Sequence, residues 1–192
     1  FLPVWDEETL RKLEIALLLL SRNSQISEPR IRVLEYADWA ESWKAFFPPQ
    51  PIGRRLVIAP TWVDYTPQPG QIVLRLDPGM AFGTGTHPST QLCMVALEKY
   101  GCKGKNVIDI GCGSGILAIQ AVRQRAAAVL GVDNDPDAIP SCVRNAALNG
   151  MEEGRIVFEV GTHTDILARV DGLNQAPVVL ANILAPILTQ ML

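Results

Sequence analysis

The stretch VIDIGCGSGILA, residues 107–118, restricts the fold more than any other part of this 192-residue chain. An apolar, strand-like run ends in Gly111, Gly113 and Gly115 and passes at once into an apolar helix-like run. A strand that turns into a helix through closely spaced glycines is one βα unit, and such a unit needs neighbours to bury both faces of its strand. The rest of the chain supplies them. From Gly70 onward strand-like and helix-like runs alternate: QIVLRL (71–76), a helix over 88–100 with Pro88 in its first turn and Gly101 at its end, NVIDI (106–110), a helix over 115–125, AAVLGV (127–132), a helix over 136–148, RIVFEV (155–160) and PVVLAN (177–182). This alternation predicts an α/β fold, a doubly wound, mostly parallel sheet with helices on both faces. Pro140 lies about one turn into the helix expected over 136–148, where it removes a backbone donor, so a late start or a kink is expected there. The last run, APILTQML, reads as a helix after the sheet's fourth strand. Open sheets of this type usually hold more strands, so C-terminal strands are expected to be absent.

The first third of the chain has a different texture. Residues 6–20, DEETLRKLEIALLLL, place Leu10, Leu13, Ala16, Leu17 and Leu20 on one face of an amphipathic helix. A strand candidate, RIRVLEY (30–36), and a short helix candidate, DWAESWKAFF (38–47), follow, the latter with Asp38 as N-cap and Trp39 and Trp43 four apart. Residues 1–35 therefore read as the end of a small α/β domain, 36–60 as a linker carrying a helix, and 61–192 as the main domain.

Composition narrows the setting. The apolar run IALLLL (15–20) is far too short to span a bilayer and no basic leader precedes it, so no membrane association and a cytoplasmic location are expected. Cys93, Cys102, Cys112 and Cys142 form no C-x-x-C pair, and with only His87 and His163 beside them no metal site or disulfide framework is suggested. A net charge of −3, with 17 basic residues spread along the chain, argues against a nucleic-acid-binding face.

The chemistry concentrates at strand ends. After 107–111 the glycines let backbone approach a ligand at a helix N-terminus, and the next strand ends in GVDNDP, which places Asp133 twenty-two residues beyond Gly111. A carboxylate at that edge can accept both hydroxyls of a ribose. A dinucleotide fingerprint requires glycine at 116, where the chain has Ile116, and a phosphate-binding Gly-Lys-Ser/Thr occurs nowhere. The residues thus point to an adenosine-type nucleoside without a pyrophosphate. The stretch LDPGMAFGTGTHPST (76–90), rich in glycine and hydroxyls, stands before this region, and ANILA (181–185) after it. His87 divides between a general base and a helix cap, and Phe82 between packing and lining a channel.

Taken in order, DPGMAFGTGTHPST, VIDIGCGSGILA with its acidic Asp109, GVDNDP and ANILA resemble the ribosomal protein methyltransferase A family of class I S-adenosylmethionine-dependent methyltransferases. The likeness runs from the Trp-containing linker to the chain end, and the motif FGTGTHPST is quite specific within it. It implies a Rossmann-like catalytic domain, S-adenosyl-L-methionine as cofactor, and methylation of amino groups on a large-subunit ribosomal protein, protein L eleven. The family's cofactor contacts carry over to Thr90, Gly111, Gly113, Asp133 and Asn182, and its first loop closes over the methionine part of the cofactor. Asn182 takes the first position of an Asn-Pro-Pro-Tyr-like tetrapeptide whose other positions, Ile183, Leu184 and Ala185, do not match; it is the expected catalytic residue, placing the amine. Two rivals stand beside this reading: a methyltransferase of the same build acting on another amine, and a nucleoside-binding module or NAD-linked oxidoreductase.

Overall fold

The computed structural model of the chain describes residues 7–23, 44, 47–77, 85–151, 154–169 and 175–191. The strand expected over 30–36, Trp39 and Trp43, and the glycine-rich residues 78–84 with Phe82 lie outside the described residues. The chain divides into two units, 1–46 and 47–192. In the first, helix α1 (Glu7–Asn23) forms as its periodicity predicts, with Glu8 and Lys12 paired one turn apart at 2.7 Å. Its apolar stripe is only partly covered: Leu10 and Leu17 are half-buried, whereas Leu13 and Leu20 are about half exposed.

Among its described residues the second unit holds two sheets. β1 (Gln50–Ile52) and β2 (Leu56–Pro60) pair antiparallel, and β2 pairs parallel with β3 (Ile72–Leu76). Here the structure corrects two expectations. QIVLRL is not part of the main sheet but the edge of this separate small one, and residues 50–52 and 56–60, read as linker, are strands. The cause is burial: all of LVIAP is buried, and Leu56, Ile58, Leu74 and Leu76 join Met94 and Ile119 in one core. Each such side chain contributes about 1.5–3 kcal/mol when removed from water. The β1–β2 turn is clipped from outside the sheet. Glu98 accepts from the Arg54 and Arg55 amides at 2.8 and 2.9 Å.

The main sheet is parallel, in the order β6-β5-β4-β7, built from β4 (Asn106–Ile110), β5 (Ala128–Asp133), β6 (Ile156–Val160) and β7 (Val178–Ala181). The helices between are α2 (Pro88–Tyr100), α3 (Ile116–Arg123), α4 (Ala138–Leu148) and α5 (His163–Leu167), with α6 (Ala185–Gln190) at the end. Alternate residues of a strand face opposite ways. Val107 and Val129 pack with Leu97 of α2 and Ala118 and Val122 of α3, while Ile108, Leu130 and Val132 pack with Ile166 of α5 on the other face. Helices cover both faces, as the alternation predicts.

Element boundaries shift for identifiable reasons. α3 begins at Ile116 because Gly115 takes the left-handed N-cap (φ 78), and the left-handed Arg125 (φ 68) follows its end. α4 starts late, at Ala138: Asp135 folds the preceding residues into a turn by accepting from the Asp137 amide at 2.9 Å. Pro140 then falls in the first turn, where its missing N–H breaks no helical bond. The sequence reading missed α5, although Thr162 and Asp165 make a reciprocal capping box there. Among the described residues no helix is long and apolar enough to cross a membrane.

Candidate functional site at the sheet's switch point

The chain leaves β4 outward to β5 and β6, then returns to the other side of β4 with β7. Parallel sheets bind ligands at such a reversal, beyond the carboxyl ends of the strands. The three strands that meet there deliver Gly111, Asp133 and Asn182, and the first turn of α2 delivers Thr90. Thr90, Gly111, Gly113 and Asn182 line one cavity, and Asp133 reaches the glycine turn through the Gly113 amide without lining that cavity.

Asn182 Nδ2 donates to Thr90 Oγ1 at 2.9 Å across 92 positions of sequence. Thr90 is buried, so this bond fixes the amide's orientation. The Asn182 carbonyl oxygen has no protein partner among the described residues and remains available to a donor. Asp133 is held more firmly. Its Oδ2 accepts from the Gly113 amide at 2.8 Å and its Oδ1 from the Asp135 amide at 3.0 Å, so the carboxylate both ties the glycine turn to β5 and keeps lone pairs for hydroxyl donors.

Gly111 and Gly113 both have positive φ, 70° and 54°, a region costly for other residues. At Gly111 a side chain would overlap Ile183 Cγ2, so this glycine is required by the chain's own packing after β7 as well as by closeness to the cavity. Ile183, which the sequence reading treated only as a mismatch, fills the space beside Gly111. His87 resolves into a helix cap: Nδ1 accepts from the Ser89 amide at 3.3 Å and lies 2.7 Å from Ser89 Oγ.

The remaining acid is the least satisfied. Asp109 is buried at 1% exposure; its Oδ2 accepts from the Ala118 amide at 3.1 Å, but Oδ1 has no hydrogen-bond partner among the described residues. Burial, opposed by the Ala118 bond and reinforced by the nearby Asp133 charge, pushes its carboxyl up to about 7. Asp109 lines a cavity of about 40 Å³ with Thr90, Gly111, Gly113, Ser114 and Asn182. A space of that size takes one water or one small ligand group, not a whole nucleoside. Behind the turn, Cys112 and Cys142 lie 3.6 Å apart, and this hydrogen bond together with burial raises the Cys112 thiol, which keeps it protonated. Both cysteines are free thiols.

This sheet and its glycine turn define a class I, Rossmann-like methyltransferase fold. A 40% identical ribosomal protein L11 methylase from Lactobacillus delbrueckii subsp. bulgaricus superposes with a TM-score of 0.65, over 76% of this chain and 71% of that one. The family model for Ribosomal protein L11 methyltransferase (PrmA) matches residues 4–192, and the chain belongs to that family. Curated relatives bearing the name ribosomal protein L11 methyltransferase include one from Geobacter metallireducens, 50% identical over 163 residues (85% of this chain, 51% of the relative). Another, from Geobacter sulfurreducens, is 50% identical over 166 residues (86% and 52%). The chain spans about half the length of these curated relatives.

Proposed function

We propose that this chain is the cofactor-binding part of an S-adenosyl-L-methionine-dependent protein N-methyltransferase that modifies lysine or N-terminal amino groups of a large-subunit ribosomal protein in the cytoplasm. The substrate is the one for which its relatives are named, protein L11. The observation that carries the reading is the buried Asp109 Oδ1, without a partner among the described residues, in a residue that lines a small cavity with Thr90 and Asn182. A carboxylate oxygen there is completed by a cationic donor, and the ammonium of an amino-acid moiety has that chemistry.

The bound cofactor supplies a methyl carbon on a positively charged sulfur, open to attack by a neutral amine. The chain's own groups bind and orient. Asp133 accepts ribose hydroxyls, Gly111 and Gly113 keep the backbone close to the ligand, and Asp109 receives the ammonium. Thr90 holds Asn182 so that its free carbonyl oxygen accepts from the incoming amine and aligns it. No covalent role falls to the protein. Ile116, buried at the start of α3 where a dinucleotide fingerprint has glycine, supports a mononucleoside ligand over NAD.

In the full-length protein, Asn182→Ala is expected to lower turnover on the ribosomal protein by about tenfold or more, the scale of one lost orienting hydrogen bond, with a smaller change in cofactor affinity. Steady-state methyl transfer and a binding titration on the same preparation check this. Normal turnover in the variant removes Asn182 from amine placement, and transfer only to other proteins replaces the substrate while leaving the chemistry.

A further inference from the structure

The glycine turn is gripped from behind by α4 through two residues that none of the sequence motifs includes. Asn145, 1% exposed, donates from Nδ2 to the Ser114 carbonyl at 2.9 Å and accepts at Oδ1 from the Asp77 amide at 3.1 Å. Three residues earlier, Cys142 Sγ donates to the Gly113 carbonyl at 3.1 Å. Consecutive carbonyls of the turn are therefore both drawn toward the helix. In trans peptides the following N–H groups, those of Ser114 and Gly115, point the opposite way. That of Gly115 closes the turn on the Cys112 carbonyl at 2.7 Å. Ser114 lines the cavity beside Asp109.

Just past the end of α4, Asn149 makes bonds that look equivalent but reach the small sheet and, through Nδ2, the Asn145 carbonyl at 2.8 Å. Its Oδ1 accepts from the Arg75 amide at 2.9 Å, and its Nδ2 donates to the Arg75 carbonyl at 2.7 Å. Asn149 is as buried as Asn145, at 2%, and holds β3 without touching the glycine turn. Both asparagines thus anchor the end of the small sheet, and Asn145 also reaches the glycine turn.

We propose that Asn145, assisted by Cys142, is a positioning residue for the ligand: it fixes the peptide planes of 113–115 so that the turn presents the backbone geometry the cofactor requires. This rests on the reading of the turn as an S-adenosyl-L-methionine site. Asn149 serves as the internal control, since it caps the same helix, is as buried, and holds β3 where Asn145 holds the residue just past it.

The test compares Asn145→Ala, Asn149→Ala and the parent full-length protein by thermal melting and by calorimetric titration with S-adenosyl-L-methionine well below the melting transition. Both variants lose stability. Asn145→Ala is expected to bind about tenfold more weakly, the scale of losing a buried hydrogen bond, whereas Asn149→Ala stays within about twofold of the parent. Equal affinities in the two variants overturn the proposal, because a purely structural role predicts equal effects. If Asn145→Ala does not fold, Cys142→Ala decides: weakened affinity supports the clamp and unchanged affinity overturns it. A parent protein that fails to bind at all overturns the cofactor reading itself, an outcome distinct from loss in Asn145→Ala alone.

Discussion

The Asp109→Asn protein is expected to be more stable than its parent above pH 7 when no ligand is bound, even though the change falls within the site. Asp109 is fully enclosed, with its carboxyl pushed from 3.8 to about 7 chiefly by burial. In the unfolded chain the same group titrates near its ordinary value, so between about pH 4 and pH 7 the folded state holds a proton that the unfolded state has lost. Unfolding free energy therefore falls as pH rises through that window and levels off above it. The full loss is on the order of 4 kcal/mol. Asparagine keeps the acceptor for the Ala118 amide and carries no charge to bury, so its stability lacks this slope. Urea unfolding of both proteins at pH 5 and pH 8 measures the difference: a gap that widens in favour of the variant at pH 8 agrees, and a pH-independent gap contradicts the burial of an ionisable group here. The same variant should bind the cofactor less well, because a neutral amide is a poorer acceptor for an ammonium.

Replacing Asp133 by alanine is expected to weaken S-adenosyl-L-methionine binding by about 1–3 kcal/mol, the range for losing hydrogen bonds to a charged acceptor. The structure adds a second source for the loss, because the carboxylate also anchors the Gly113 and Asp135 amides. Asp133→Asn, which keeps one oxygen acceptor, should fall between parent and alanine variant. Titration calorimetry gives the dissociation constants, and thermal melting shows whether the turn has loosened without ligand. An unchanged dissociation constant in Asp133→Ala takes the residue out of the ribose site.

What the sequence disclosed and what it hid follow a physical division. The glycine turn was legible because positive φ restricts residue choice, and Asp133 because the length of a βα unit fixes the spacing from one strand end to the next. The helix over 88–100 was legible from Pro88 and Gly101, which mark its ends locally. Thr90 and Asn182 were named only through the family resemblance. Their hydrogen bond joins positions 92 apart, and no local pattern carries such a contact. β1 and β2 were lost in a proline-rich stretch whose strand character comes from burial against α2 and α3, not from its own periodicity. The same holds for Asn145 and Asn149. An asparagine in a helix reads as a weak helix former, and only the tertiary approach of β3 and the glycine turn makes it a clamp.

The central claim is that the switch point between β4, β5 and β7 holds a single adenosine-type cofactor carrying an amino-acid group. Calorimetric titration of the full-length protein with S-adenosyl-L-methionine, and separately with NAD, tests it most directly. The structure predicts saturable one-site binding of S-adenosyl-L-methionine and none of NAD; binding of NAD, or no heat of binding with S-adenosyl-L-methionine, would contradict it.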